Sequence, residues 1–577
     1  MDNNLKENYV LGIWDGHDAG SALIKDDKII FAVNEERLTR RKLEVGFPQL
    51  SILSCLEYTN LSTNNIPIIA VSTSDPAKTL TRIVPNLKEE YYLIRRRKKG
   101  PKKADSFKKW FKYRFTELKP NYISKFLSKI HLKKQLKLIG FKNYNIHLVD
   151  HHTGHAQAAS RCSGFDRCLV LTLDGLGDGL SGSISVFKNE QLSFINKIPS
   201  KISMGIFFEH VTNLMNMREL EDEGKVMALA NYAYPVDDSQ NPLLDIIKCV
   251  GLDFVSSYNS TQMFNEMKKI FWRNPSEQFA YMAQRTLEKN VLCLVKNAAK
   301  TTGLKNIALA GGVFSNIKLN MKIGELPEID NYYVFPHMGD GGLAIGSAID
   351  INYKEFGIGR YKLPDLYLGP NFNDNQIYES LKKYPVIYDK SVDSSKKAAE
   401  LILSGEIILW FHGKSEIGPR ALGNRSILAK PNDARIKDKL NLALKKRVWY
   451  QPFCPSILIE DASELLYTEN LDINYNRFMT AGFKVKEKHL KSLEGVTNID
   501  GTCRPQFVGN ENNRYRDLLC HIKSALGFGV LLNTSFNVHG EPMVLSPDDA
   551  LKTLFKTGVR YLFLEDFIVE NPDAKNL

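Results

Sequence analysis

Short apolar runs broken by polar, glycine-rich turns set the rhythm of the first 350 residues. "YVLGIWDGHDAGSALIKDDKIIFAVNEERLTRRK" reads as strand, Gly-rich turn, strand, tight turn at "KDD", strand. "CLVLTLDGLGDGLSGSISVFKN" repeats the strand–turn–strand unit. "NIALAGGVFSNIKLNMKI" and "YYVFPHMGDGGLAIGSAID" each run from an apolar strand through glycines into a helical period. Strands alternating with helices in this way predict an α/β protein. Between residues 355 and 375 the sequence loses periodicity and gathers Gly, Pro and Asn. At 577 residues the chain is too long for one core. We therefore divide it into 1–357 and 358–577.

One segment breaks the rhythm. Between Arg95 and Asn143, 18 Lys or Arg stand against two acids, Asp105 and Glu117, while Leu, Ile and aromatics recur at helical spacing among the lysines. The formal net charge is +12, so outside this segment 59 basic residues meet 63 acidic ones. The basicity belongs to an insertion at about 90–143 and not to the protein. The insertion allows three readings: a solvated helical hairpin, contact with an anionic membrane surface, or contact with a polyanionic acceptor. Trp110, Phe111, Tyr113 and Phe115 among the lysines would suit RNA.

Composition adds exclusions. Apolar content of 43% with 25% charged residues is that of a globular protein. No apolar run approaches the roughly 18 residues a transmembrane helix needs. The opening "MDNNLKENYV" has neither a basic nor an apolar signal region. The eight cysteines are scattered without a CxxC pair, which argues against a zinc ribbon or disulfide framework. That usage fits a reducing compartment, and the expectation is a cytoplasmic protein.

Candidate chemistry starts at "HLVDHHTGHAQAAS", residues 147–160. His151 and His155 are spaced i, i+4 and share a face if the segment is helical, the spacing a helix offers a metal ion. A capping and packing role for these histidines is the alternative. Asp174 in "LTLDGLGD" and Asp340 in "MGDGGLA" end apolar strands beside glycine turns and complete a two-His, two-carboxylate set suited to iron or zinc. "EDEGKVMALANY" sets Lys225 behind three acids before a helical run, where it could meet a phosphate. Four Gly-rich turns, "DGHDAGSA", "DGLGDGLSGS", "AGGVFSN" and "GDGGLAIGS", offer backbone amides to phosphates. Their order resembles the duplicated nucleotide-clamping fold of actin, sugar kinases and Hsp70. The second half is different. Lys414, Arg420, Asn424, Arg425 and Ser426, then Lys445, Lys446 and Arg447, then Arg504, and finally Asn533, Ser535, Asn537 and His539 sit in turn-rich settings suited to anion binding.

"HHTGHAQAA", "GPRALGNRSILA", "QPFCPSIL" and "LLNTSFNVHGEP" occur in this order, and together they resemble the NodU/CmcH/TobZ family of O-carbamoyltransferases nearly end to end. The resemblance implies an N-terminal domain like the tRNA threonylcarbamoyltransferase, of the duplicated actin/Hsp70 class, and a C-terminal YrdC-like α/β domain. It implies that the YrdC-like half makes carbamoyl-adenylate from carbamoyl phosphate and ATP, and that the first half passes the carbamoyl group to a hydroxyl-bearing acceptor. Carried over by residue, it assigns His151, His155, Asp174 and Asp340 to a metal, with iron expected and magnesium accompanying ATP. It assigns Gly311, Gly312 and Asn316 to the adenosine side. Lys414, Arg420, Asn424, Lys445, Arg447, Arg504, Ser535 and Asn537 fall to nucleotide and carbamoyl phosphate. His17 and Asp18 of "GHDAGSA", with Lys225, fall to catalysis, and His152 is left to pack.

Gln451 and Cys454 depart from the family's usual "RPFAPS", which puts one phosphate donor in doubt. A tRNA-modifying relative that grips RNA with the basic arm is the competing reading, and the two specific motifs disfavour it. A HypF-like thiol carbamoylase is disfavoured by the missing CxxC pairs and acylphosphatase-like front domain. A scaffold without activity is disfavoured by the intact His151, His155, Asp174 and Asp340.

Overall fold

The computed structural model describes residues 8–97, 115–468 and 472–575. Much of the basic insertion, residues 98–114 with Trp110, Phe111 and Tyr113, lies outside the described residues. The chain is α/β and divides into two compact units, Met1–Glu35 with Glu44–Lys362, and Glu36–Leu43 with Leu363–Leu577. The division at Lys362 follows the loss of periodicity read in the sequence. The assignment of residues 36–43 to the second unit does not.

The first unit holds two five-stranded sheets. One is built from β1 (Tyr9–Trp14), β2 (Gly20–Lys25), β3 (Lys28–Asn34), β4 (Ile68–Ser72) and β5 (Asn145–Val149). The other is built from β6 (Arg167–Gly177), β7 (Leu180–Lys188), β8 (Gln191–Pro199), β9 (Asn306–Ala310) and β10 (Asn331–Val334). Their orders are β3-β2-β1-β4-β5 and β8-β7-β6-β9-β10. In each sheet an antiparallel meander of three strands is followed by two parallel strands added beside the first. The central strand "YVLGIW" is buried along its whole length, as a strand covered on both faces requires. The edge strand β8 alternates half-buried and exposed positions.

Five helices matter for the site: α1 (Pro76–Ile83), α2 (Pro85–Arg95), α3 (Tyr122–Leu138), α4 (His151–Cys162) and α5 (Leu343–Phe356). The last two follow the fifth strand of each sheet and pack against each other. Gly346 makes this close crossing feasible, because a Cβ there would fall 2.1 Å from the Gly154 carbonyl oxygen. Beside the crossing, buried Asp350 accepts from Gln157 Nε2 at 2.8 Å, and Arg161 Nε donates to Gln157 Oε1 at 2.7 Å. Gln157 is thereby satisfied on both sides of its amide.

The second unit carries one eight-stranded sheet. Its strands are β11 (Ile387–Lys390), β12 (Ile408–Phe411), β13 (Arg425–Ala429), β14 (Cys454–Leu458), β15 (Gln506–Val508), β16 (Val530–Ser535), β17 (Tyr561–Leu564) and β18 (Phe567–Glu570), in the order β11-β18-β17-β12-β13-β16-β14-β15. Trp410, Leu518, Leu519, Ile522, Leu531 and Phe563 form its core, together with the helix Ser394–Leu403. The detached segment is bound here through backbone carbonyls: Arg37 Nη2 donates to Gly418 O at 2.8 Å and Arg40 Nη2 to Pro542 O at 2.9 Å. Among the described residues, no helix is long and apolar enough to cross a membrane, and all eight cysteines are free.

Candidate functional site

In the first unit α4 begins directly after β5, which puts His151 at the first helical position and His155 one turn on. Asp178 fixes this start. Its carboxylate accepts from the backbone N–H of His151 at 2.8 Å, of Ser74 at 2.9 Å and of Asp75 at 3.0 Å. Both imidazole Nε2 atoms lie 3.2 Å from Asp174 Oδ2, and 3.5 and 3.6 Å from Asp340 Oδ1. One ligand atom from each of the four residues lies within 4.8 Å of all the others. Asp174 is not at a strand end as expected. It sits inside β6 where the pairing with β7 shifts register between Leu173 and Gly177, and this break frees its side chain.

Neighbours aim the ligands. Thr73 Oγ1 lies 3.1 Å from His151 Nδ1, which turns Nε2 toward the carboxylates. The ring itself lies on Gly177, where a Cβ would come within 2.2 Å of Cγ. Asp174 Oδ1 accepts from Gly175 N at 2.7 Å, leaving Oδ2 to the histidines. His17 joins through Nε2, 3.1 Å from Asp340 Oδ2, with Nδ1 3.5 Å from the Asp18 carboxylate. Trp14 Nε1 holds the His17 carbonyl at 2.6 Å, and the Tyr92 ring meets the His17 ring edge-on at 5.5 Å.

Electrostatics follow from this packing. Burial opposes charge on His17, but Asp340 and Asp18 outweigh it and push its pKa up to about 10. Burial likewise opposes charge on His155, and Asp174 and Asp340 push it up to about 9. Despite their own burial, Asp174 is held below and Asp340 well below the usual carboxylate range by these histidines. His152 is pushed down to about 3 by burial and by its two neighbours, and its Nδ1 meets Thr172 Oγ1 at 2.8 Å. It packs as a neutral ring outside the cluster. Two imidazoles and two carboxylates whose free atoms already converge, with the far side of His151 anchored, fit a divalent transition metal.

Of the residues expected on the adenosine side, Gly312 reaches this cluster. Gly312 abuts Asp174, since a Cβ there would lie 3.0 Å from Oδ1, and Gly311 N donates to Met338 O at 2.7 Å. Asn316 caps the helix Ile317–Gly324 through Leu319 N, and its Nδ2 donates to Gln284 Oε1 at 2.7 Å. Lys225 lies within the helix Glu223–Leu229 and pairs with Asp222 at 2.8 Å; among the described residues its ion pair is not with the His–Asp cluster. Sequence reading missed Thr73, Tyr92 and Asp178. Only Asp178 carried a signal, as the second aspartate of "DGLGDG".

The second unit gathers a cluster of the opposite kind. Burial and Arg504 lower the Arg420 pKa to about 9. Burial, with Arg504 opposing charge further, lowers Arg447 to about 10. Lys445 is lowered well below its usual range by burial, Arg447 and Lys42. None of these three has a carboxylate among the groups that shift it. Lys445 Nζ donates to Asn537 O and Asn537 Oδ1, both at 2.8 Å, and to the Ser535 carbonyl, so its hydrogens are already engaged. Ser535 Oγ donates to Asn537 Oδ1 at 2.7 Å. Arg447 Nε donates to Asn441 Oδ1 at 2.7 Å and its guanidinium lies over the Phe453 ring. Arg504 Nε donates to Cys454 Sγ at 3.1 Å. Arg420 Nε finds no partner among the described residues.

Asn424 Nδ2 donates to the Lys414 backbone carbonyl at 2.7 Å, and the Lys414 charge acts on Asp365. Arg425 is fully buried over Phe411, with Nη1 on the carbonyls of His412, Gly413 and Asn424. Gln451 accepts from Asn441 Nδ2 at its backbone carbonyl, and its Oε1 has no partner among the described residues. Lys42 was not foreseen, because it arrives from the detached segment 36–43.

Two family models match the chain, "Carbamoyltransferase N-terminus" over residues 9–349 and "Carbamoyltransferase C-terminus" over residues 399–571. The chain is 32% identical over 97% of its length to "Uncharacterized protein MJ1051" of Methanocaldococcus jannaschii, covering 99% of that protein. It is 31% identical over 97% of its length to "Nodulation protein NolNO" of Sinorhizobium fredii, covering 79% of it. It is 28% identical over 58% of its length to "3'-hydroxymethylcephem-O-carbamoyltransferase" of Streptomyces clavuligerus, covering 62% of it. A solved T. kodakarensis HypF structure overlaps with a TM-score of 0.33 at 14% identity, over 61% of this chain and 48% of that one, too distant to carry an argument. With both halves matched in order and relatives aligned along nearly the whole chain, the protein belongs to the NodU/CmcH carbamoyltransferase family.

Proposed function

We propose that the protein is an ATP- and carbamoyl-phosphate-dependent O-carbamoyltransferase that forms carbamoyl-adenylate in its second unit and uses it in its first. The observation that carries this reading is the cluster of Arg420, Lys445, Arg447 and Arg504 without a carboxylate. Cations gathered against their own repulsion need a polyanion to complete the site, and a triphosphate beside an acyl phosphate supplies one. In the reaction, water hydrolyses carbamoyl phosphate, its oxygen staying with the carbamoyl carbon as carbamate while inorganic phosphate leaves. The carbamate oxygen attacks the α-phosphorus of ATP, forming carbamoyl-adenylate and releasing pyrophosphate. Guanidinium groups stabilise the charge spread over the transferring phosphoryl oxygens.

In the first unit, the acceptor's hydroxyl oxygen attacks the carbamoyl carbon and AMP leaves. The hydroxyl proton must go to a nearby base. Asp18, 3.5 Å from His17 Nδ1, is the carboxylate of the pair that we assign to accept it. His17, with one ring nitrogen toward each of Asp18 and Asp340, orients these carboxylates. A metal held by His151, His155, Asp174 and Asp340, iron by family resemblance, would supply positive charge to that phosphate. Gly311 and Gly312, against Asp174, would take the adenosine side. The paired sheets support an actin/Hsp70-like first unit, and the cation cluster supports a YrdC-like second unit. The acceptor is a hydroxyl on a small molecule or sugar, and magnesium can accompany ATP.

The test is pyrophosphate release from purified protein given ATP, with and without carbamoyl phosphate, no acceptor present. Release that depends on carbamoyl phosphate supports the reading. Absence of release under both conditions removes the adenylating half of it.

A further inference from the structure

Helix α3 is turned inside out for a protein helix. Its buried stripe is Ser124, Ser128, Leu132 and Leu136, a single i, i+4 row. That row docks on α1 largely by hydrogen bonds: Thr79 Oγ1 donates to Ser124 O at 3.1 Å and exchanges with Ser128 Oγ at 2.8 Å, and Arg82 Nη1 donates to Ser128 Oγ at 3.0 Å. The large apolar residues face out. Tyr122 is 84% exposed, Ile123 68%, Phe126 53% and Ile130 51%, with Leu127 and Leu138 also exposed. These six make up most of the large side chains that a helix of this pattern would bury. Lys125, Lys129, Lys133, Lys134 and Lys137 are exposed on the same helix, which carries no acid.

We propose that α3 docks the protein on an anionic lipid surface, lying in the plane of the headgroups. The charge pattern commits the face to a polyanion, because five lysines without an acid repel a second copy of the same face. The apolar pattern then chooses between polyanions. Ile123, Leu127, Ile130 and Leu138 are aliphatic and give nucleic-acid bases nothing to stack on, and Tyr122 and Phe126 are stacked on each other at 6.4 Å. Acyl chains accept all six. A face of 17 residues spans about 25 Å, enough for several headgroups. The buried row suits this role as well, since hydrogen bonds from Thr79 and Arg82 share the docking with Leu132 and Leu136 and leave the other six apolar side chains outside.

Co-sedimentation of the full chain with vesicles tests the proposal. Vesicles of phosphatidylglycerol and phosphatidylcholine in equal parts should retain the protein at least about ten-fold better than phosphatidylcholine alone, with added salt reversing the difference. Phe126→Asp with Ile130→Asp should weaken retention at least roughly ten-fold while leaving the melting temperature unchanged, as both side chains are exposed. Lys129→Gln with Lys133→Gln should weaken it by about five-fold for each lysine. No retention on the anionic vesicles, equal retention on both compositions, or unchanged retention of the Phe126/Ile130 variant overturns the proposal. So does a dimer in light scattering that the Phe126/Ile130 variant dissolves, or bound RNA with no vesicle retention.

Discussion

The two polar centres of the molecule solve opposite electrostatic problems. In the first unit, Asp174 and Asp340 are balanced internally by His151, His155 and His17, each contact between 3.1 and 3.6 Å. Protons stand there in place of a cation, and a metal must displace them to bind. In the second unit Arg504 opposes charge on Arg420 and Arg447, Arg447 opposes it on Lys445, and Arg504 itself donates to the Cys454 thiol. One centre is complete without its ligand and exchanges charge for charge. The other is incomplete without an anion. The proposed division, metal chemistry in one unit and phosphate chemistry in the other, rests on this contrast.

The largest expected effect falls on the incomplete centre. Arg504→Ala removes a cation that no other residue replaces, and carbamoyl-phosphate-dependent pyrophosphate release should fall about a hundred-fold. An unchanged rate would mean that the anion binds elsewhere. Next is Thr73→Ala, which frees the far nitrogen of His151. Metal affinity, read by chelator competition, should drop about ten-fold or more, with pyrophosphate release intact. If both change together, the two centres are not separate functions.

The balanced centre also sets a pH dependence. His155 and His17 have folded pKa values raised above the unfolded one, so their contribution to stability is full below about pH 6.5 and is lost as pH rises through about 9 and 10. The metal-free protein should therefore melt at a lower temperature at pH 10 than at pH 7, while metal affinity rises with pH until His155 is deprotonated near 9. A flat profile for both would remove the proton-for-metal exchange. The smallest effect is expected of Lys42→Ala. It adds charge to the anion site at longer range, and its loss should raise the KM for ATP by only two- to five-fold, roughly.

Local features were legible and long-range ones were not. The strands around "KDD" and "DGLGDG" and the helix bearing His151 and His155 follow from period and turn chemistry, and they stand where the sequence placed them. The shared strand order of the two sheets depends on pairings between strands up to some 140 residues apart, such as Leu309 with Leu171, which no local period encodes. That Asp174 joins His151, His155 and Asp340 was legible in the sequence. Its position at a register break in β6, and the bracing by Asp178, belong to the fold and not to the motif. Lys42 follows a strand of the first unit in sequence and serves the second in space. The apolar face of α3 was visible as helical spacing among lysines, but which side it turned to solvent was not, because the buried row is Ser124, Ser128, Leu132 and Leu136, half of it polar.

The most direct test compares pyrophosphate release in Arg420→Ala and His155→Ala, with ATP and carbamoyl phosphate and no acceptor. Separate centres predict that release is lost in Arg420→Ala and largely kept in His155→Ala, whose defect appears only in metal content and in transfer to an acceptor. Equal loss in both variants, or release that survives Arg420→Ala, would contradict the division of labour between the two units.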